Sequence, residues 1–226
     1  MIRFEKVTKI YGTDTVVLKD ISFEIKKGEF VSIVGKSGAG KTTIIRLILG
    51  LEKPTYGKVF FFDHDLSTLS DSQIQKLRRR VGGIYQDYKL LTNKTVYENM
   101  SYIMAVEGRS NDEILKEVPR VLEMIGLDQK LDNFPRELSG GEQQRLAIAR
   151  ALVNHPDIII ADEPTGNLDP YNTYEVMSLL EQIHKSGKTI LLATHDREIV
   201  NKIGKRVITI DSGVIIRDEA RGIFML

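Results

Sequence analysis

The chain has 226 residues, of which 42% are hydrophobic and 28% charged. That ordinary globular balance excludes a disordered chain and a bundle of membrane helices, and the length fits one large domain or two small ones. Lys and Arg number 32 against 31 Asp and Glu, so no broad positive field exists to hold nucleic acid by its phosphates. There is no cysteine, which removes disulfides, cysteine-ligated zinc, iron–sulfur clusters and thiol catalysis, and suits a reducing compartment. No apolar run reaches the roughly 18 residues that a spanning helix needs. Met1-Ile2-Arg3-Phe4-Glu5 has no signal-peptide core, so the cytoplasm is the expected address.

Residues 1 to 34 read as strands. Ile21, Phe23 and Ile25 alternate with Ser22, Glu24 and Lys26, the period of a half-buried strand in an antiparallel sheet. Phe30-Val31-Ser32-Ile33-Val34 is instead a continuous apolar run, as are Ile158-Ile159-Ile160-Ala161 and Thr189-Ile190-Leu191-Leu192-Ala193. Such runs suit strands buried on both faces of a parallel sheet. The helical stretch after Lys41, with Ile44, Ile45, Leu47, Ile48 and Leu49, is apolar nearly all round and belongs in the centre of a fold. The class is therefore α/β.

Between that first buried strand and helix lies Gly35-Lys36-Ser37-Gly38-Ala39-Gly40-Lys41-Thr42, which fits the G-x-x-x-x-G-K-[ST] phosphate loop in the strand-to-helix context it requires. Glycines let the backbone wrap a polyphosphate, and successive N–H groups and the helix N-terminus face the anion. Lys41 then reaches the β- and γ-phosphates, and the Thr42 hydroxyl can ligate Mg²⁺. Lys76-Leu77-Arg78-Arg79-Arg80 reads as a solvated helix end that complements its dipole rather than a nucleic-acid patch.

From about Gln86 to Arg150 helical periodicity replaces the strand signal, marking an inserted helical subdomain within a single unit of 226 residues. The remaining parts, about 1–85 and 151–226, form the core and the antiparallel sheet. Ser110 and Glu113 match a capping box, and Ile114, Leu115, Val118, Val121, Leu122 and Ile125 fall on one helical face. Pro119 removes one backbone donor there and should kink the helix or split it in two. Leu138-Ser139-Gly140-Gly141-Glu142-Gln143-Gln144-Arg145 contains a second capping box, Ser139 with Glu142, and starts the helix that carries Leu146, Ala149, Leu152 and Val153. A capped helix start with two glycines also faces an anion favourably.

The apolar run ending in Asp162-Glu163 delivers two carboxylates at the C-terminal end of a parallel strand, where ligands of such sheets bind. Asp162 is placed to hold the Mg²⁺ shell, and Glu163 to orient or deprotonate an attacking water. The nucleotide is ATP rather than GTP on this reading, because Asn93-Lys94-Thr95-Val96 and Asn201-Lys202-Ile203-Gly204 lack the aspartate of a guanine-reading N-K-x-D sequence.

Taken with the phosphate loop upstream and Asp162-Glu163 downstream, residues 138–145 resemble the signature of the ATP-binding cassette (ABC) ATPases, and the resemblance covers essentially the whole chain. It implies a mixed core sheet, an N-terminal antiparallel β subdomain and an inserted helical subdomain. It also implies a homodimer that buries two ATPs, with Ser139, Gly140, Gly141 and Glu142 closing over the ATP held by the partner's loop. By the same resemblance Tyr11 stacks on adenine, and Thr43 stands beside Thr42 where serine-threonine is common. Gln86 senses Mg²⁺ and the attacking water, Asn167-Leu168-Asp169 couples the two sites, and His195 contacts the γ-phosphate and Glu163's water. Asp169 before Pro170 also reads as a helix N-cap with proline at the first position. His64, His155 and His184 have no comparable context and are expected at the surface.

An intact cassette without a membrane segment implies work done on a separate membrane permease, to which the protein would be peripheral. Arg79-Arg80-Val81-Gly82, Gln86-Asp87-Tyr88-Lys89-Leu90-Leu91, Thr95-Val96-Tyr97-Glu98-Asn99, Asn133-Phe134-Pro135 and Asp162 to Asp169 are similar to the cell-division ATPases of the family. The last segment is shared with lipoprotein-releasing and macrolide-export ATPases. Three readings stand open: mechanical signalling in division, export, and a nucleotide-gated binding module. Tyr88 to Leu91 is either a docking surface for the permease or internal packing. Gly222-Ile223-Phe224-Met225-Leu226 is apolar for a terminus and is expected to fray, the alternative being a contact with a partner or the second copy.

Overall fold

The computed structural model describes residues 1–222; the apolar residues 223–226 lie outside them. The chain divides into two compact units, one made of Met1–Arg78 with the residues from His184 onward, the other of Arg79–Ile183.

In the first unit β1 (Ile2–Tyr11) and β2 (Thr15–Ile25) form a hairpin. Alternate residues Ile2, Phe4, Ile21, Phe23 and Ile25 are buried, and Phe4 stacks on Phe23 with ring centroids 4.5 Å apart, so the period-two reading holds. After β3 (Phe30–Val34), α1 (Lys41–Ile48), β4 (Tyr56–Phe61), β5 (His64–Asp65) and α2 (Asp71–Arg78), the strand order of this sheet is β2-β1-β4-β5, and every pairing in it is antiparallel.

The second unit opens with β6 (Val81–Tyr85), followed by α3 (Val96–Val106), α4 (Asn111–Met124) and α5 (Gly140–Leu152). It continues through β7 (Ile158–Asp162) into α6 (Pro170–Lys185). β6 and β7 pair in parallel, with Gly82 opposite Ile159 and Tyr85 opposite Asp162. Three helices start with reciprocal capping boxes: Thr95 with Glu98, Ser110 with Glu113, and Ser139 with Glu142. Each supplies side-chain partners at a terminus where helical N–H groups have none within the helix. Pro119 does not split its helix: α4 runs unbroken across it, because the face made by the buried Ile114, Val118, Val121 and Leu122 packs on both sides of the missing donor.

The chain then returns to the first unit with β8 (Thr189–Thr194), α7 (Arg197–Ile203), β9 (Arg206–Asp211) and β10 (Val214–Glu219). There β3 lies between β8 and β9, parallel to both, and β10 returns antiparallel to β9. All residues of β3 and β8 are buried, as expected for a parallel sheet covered on both faces. The fold is thus the mixed α/β architecture with a separate antiparallel sheet.

His184 is not the plain surface residue expected. Its Nε2 lies 3.0 Å from the Gly28 carbonyl and its ring meets Phe30 edge-on at 5.5 Å, because the end of α6 brings it over the turn that enters β3. His64 and His155 are exposed, and His155 Nε2 stands 3.2 Å from Glu117.

Candidate functional site

In the first unit the loop between β3 and α1 is pressed tightly into its surroundings. A β-carbon on Gly35 would stand 2.3 Å from the Ile210 carbonyl oxygen, and one on Gly40, at φ 106°, would stand 2.6 Å from Leu18 Cδ2. Only glycine fits these two positions, so packing as well as turn geometry demands the glycines of the loop. The loop closes on itself through the Ala39 N–H to the Lys36 carbonyl at 3.1 Å.

The Lys41 ammonium, 7% exposed, donates to the Gly35 carbonyl at 2.8 Å and to the Lys36 carbonyl at 3.3 Å. It therefore sits inside the ring of backbone that the loop forms. Lys36, Ser37, Gly38 and Thr42 are exposed along the loop, whereas Ala39 and Thr43 are buried. Tyr11 ends β1, and its hydroxyl donates to the Glu52 carboxylate. His195 follows the last residue of β8 and is exposed. Asp196 beside it caps α7, accepting from Glu198 and Ile199 N–H at 2.9 and 3.1 Å.

In the second unit the register of β6 on β7 sets Tyr85 opposite Asp162, so Gln86 and Glu163 leave neighbouring strand ends. Burial, and next the charge of Asp162, push the Tyr85 hydroxyl above its ordinary pKa. Glu163 turns the chain at φ 49°, a left-handed conformation uncommon for non-glycine residues. The turn is closed by the Gly166 N–H to the Glu163 carbonyl at 3.2 Å. Gln86 and Asn167 exchange hydrogen bonds, Gln86 Nε2 to Asn167 Oδ1 at 3.2 Å and Asn167 Nδ2 to the Gln86 carbonyl at 3.1 Å.

Ser139 caps α5, accepting from the Glu142 N–H at 3.3 Å, while Glu142 accepts from the Ser139 N–H at 2.9 Å. Lys130 donates to the same carboxylate at 2.6 Å. That hydrogen bond holds the Glu142 carboxyl below its ordinary pKa, against the opposing effect of burial and with the help of the Ser139 N–H. Gly140 and Gly141 occupy the first turn, where N–H groups lack intrahelical acceptors. A β-carbon on Gly141 would stand 1.7 Å from Asn172 Oδ1. Asn172 is in turn bound to Asp169 through its N–H at 3.0 Å and its Nδ2 at 2.5 Å. Asp169 thus caps α6 as expected, and the cap carries a side chain that crosses the second glycine of residues 138–145.

Two further residues here escaped the sequence reading. Arg150, in the apolar stretch of α5, donates to the carbonyls of Tyr88 at 3.0 Å and Lys89 at 2.5 Å. Both of those residues have left-handed backbones, at φ 58° and 52°. Burial pulls the Arg150 guanidinium below its ordinary pKa. A charge within an apolar helix was the available signal. Asn99, fully buried, accepts from the Leu91 N–H at 2.9 Å and donates to the Leu91, Lys94 and Thr95 carbonyls. The segment from Tyr88 to Leu91 is therefore held by internal bonds, with Asp87 before it and Lys89 within it exposed.

Among the described residues no helix is long and apolar enough to cross a membrane. Residues 18–166 match the family model described as ABC transporter. The chain is 49% identical over 222 residues to the cell division ATP-binding protein FtsE of Bacillus subtilis, with 98% of this chain and 97% of that one covered. It is 43% identical to the protein of the same name from Escherichia coli K12, at 94% and 96% coverage. A dimeric structure of the ATP-binding cassette MJ0796 in a post-hydrolysis state, bound to ADP and Pi, superposes with a TM-score of 0.87 at 36% identity, covering 99% of this chain and 100% of that one.

Proposed function

The chain belongs to the ABC transporter family, and from that premise we propose that it is the ATP-hydrolysing subunit of a bacterial cell-division complex. It closes as a homodimer around two ATPs and passes the mechanical change to a membrane permease of the FtsX kind, which governs peptidoglycan hydrolases. Its place is then the inner face of the plasma membrane, peripheral through that partner. The observation that carries the reading is the loop from Gly35 to Thr42, with Lys41 held inside its own backbone ring. The division role rests on likeness to relatives of that name across nearly the whole chain.

Gly35, Lys36, Ser37, Gly38, Ala39 and Gly40 present backbone N–H groups to the phosphates, and Lys41 exchanges its carbonyl acceptors for phosphate oxygens as ATP enters. Tyr11 stacks on the base. The donors assigned to Mg²⁺ are the Thr42 hydroxyl, the Asp162 carboxylate and the Gln86 amide oxygen, a hard-oxygen set of low charge. Among the described residues no group of three His, Cys, Asp or Glu is gathered to hold a metal, which fits an ion bound through one carboxylate together with substrate phosphates. When bound, Mg²⁺ neutralises charge on the β- and γ-phosphate oxygens. Glu163, the first residue after β7, takes the proton of the attacking water. His195 and Gln86 orient the water and the γ-phosphate. Ser139, Gly140 and Gly141 close over the partner's ATP with the N-terminus of α5, and Glu142 holds that terminus in shape.

The test is Glu163→Gln. ATP binding persists, an ATP-dependent dimer accumulates in size-exclusion chromatography, and kcat falls roughly 10² to 10⁴-fold, as for loss of a positioned base. Unchanged turnover would remove Glu163 from the chemistry. Capture of the same variant on host membranes in ATP separates the roles: a division permease with cell-wall hydrolases supports the reading, and lipoprotein or efflux components move it to export.

A further inference from the structure

Glu52 follows α1 and lies 41 positions from Tyr11 in sequence, yet its carboxylate accepts the Tyr11 hydroxyl. The same carboxylate meets Lys9 Nζ at 3.2 Å and Arg46 Nη1 at 3.1 Å. Glu52 and Lys9 are largely withdrawn from solvent, with side chains 17% and 15% exposed. Lys9 is fixed a second time by the Lys53 carbonyl at 2.9 Å, and its ammonium stands over the Tyr11 ring, 4.9 Å from the centroid. A cation on one face of the ring leaves the opposite face for stacking. Arg46 comes from α1, whose first residue is Lys41.

One carboxylate thus holds the ring by its hydroxyl, holds the cation behind the ring, and ties both to the helix that begins with the phosphate-binding lysine. The geometry points to Glu52 as a positioning residue that sets the orientation of the Tyr11 ring and its distance from the phosphate loop, so that the base and the polyphosphate of one nucleotide are met together. Preorganising a ring in this way lowers the ordering cost of binding. The inference rests on the reading that Tyr11 stacks on the base.

The experiment measures dissociation constants for Mg-ATP and for inorganic tripolyphosphate, which has no base, in the full chain. Glu52→Ala is expected to weaken ATP about fivefold to tenfold, the scale of a lost aromatic contact to a base, and to leave tripolyphosphate within about twofold. Glu52→Gln, which keeps an acceptor for the hydroxyl, recovers part of the loss. Tyr11→Phe weakens ATP by a smaller factor, and adding it to Glu52→Ala causes no further loss, because both act through one hydrogen bond. Equal weakening of ATP and tripolyphosphate would assign Glu52 a general structural role and overturn the inference. So would an unchanged ATP constant in Glu52→Ala when Tyr11→Ala weakens ATP. An unchanged ATP constant in Tyr11→Ala would instead refute the base-stacking reading itself, and the inference with it.

Discussion

Gly141 shows how a single missing side chain decides local structure. Its first-turn position in α5 would favour alanine by about 1 kcal/mol on helix propensity alone. The Asn172 side chain occupies the space that a methyl group would need, and moving it breaks its Nδ2 bond to Asp169, the residue that caps α6. Overpacking of this kind costs about 1 to 3 kcal/mol, so the clash outweighs the propensity. Gly141→Ala is therefore expected to lower the thermal midpoint, and Gly141→Ala with Asn172→Ala to be more stable than Gly141→Ala alone. Thermal unfolding followed by circular dichroism checks this; a single variant as stable as the parent would mean that Asn172 moves aside at no cost. Glu163, the residue after β7, likewise has a left-handed backbone, at φ 49°, and there the turn is closed by the Gly166 N–H to its carbonyl.

At the scale of elements, α4 and α5 show what capping and packing each contribute. Reciprocal boxes at Ser110 and Ser139 start both helices where their sequences announce them. Pro119 opposes α4 from within: it is exposed, makes no use of its ring in the core, and deprives the helix of one hydrogen bond. Pro119→Ala should restore that bond and raise stability by up to about 3 kcal/mol, the difference between the two residues in a helix interior. Denaturant titration reads the gain as a higher midpoint at unchanged slope. A lower midpoint would show that the proline is required for the shape of α4. In α5 the charged Arg150 crosses an apolar helix to bind two carbonyls of a left-handed pair, so this element supports the segment after Gln86 as well as carrying Ser139 to Glu142.

The stability of the whole molecule should carry the mark of its capped carboxylates on the acid side. Glu142 is held below its ordinary pKa by Lys130, against burial and with the help of the Ser139 N–H. A carboxyl whose pKa is depressed by folding stabilises the native state above its unfolded value, and the contribution is lost as pH falls through the folded value. Thermal midpoints should accordingly decline as pH drops below the ordinary glutamate range, and Glu142→Gln should decline less steeply over the same interval while being less stable near neutrality. Identical slopes for the two proteins would show that Lys130 and Ser139 interact as well with the neutral carboxyl.

Contiguous chemistry needed no fold to be read. The phosphate loop, the Asp162-Glu163 strand end, two of the three reciprocal capping boxes, the Asp169 cap and the alternation of β2 each depend on residues within a few positions of one another, where backbone geometry fixes which side chains meet. The buried β3 and β8 were legible for the same reason, since a continuous apolar run has few other places to go. The bonds between distant residues are different in kind. Tyr11 with Glu52, Arg150 with Tyr88, Gln86 with Asn167 and His184 with Gly28 join residues 41, 62, 81 and 156 positions apart. Strand register and helix packing bring those groups together, and neither leaves a local spacing in the sequence. The chain by itself determined which chemical groups are present and in what order; the tertiary structure decided which distant side chain holds each of them in place.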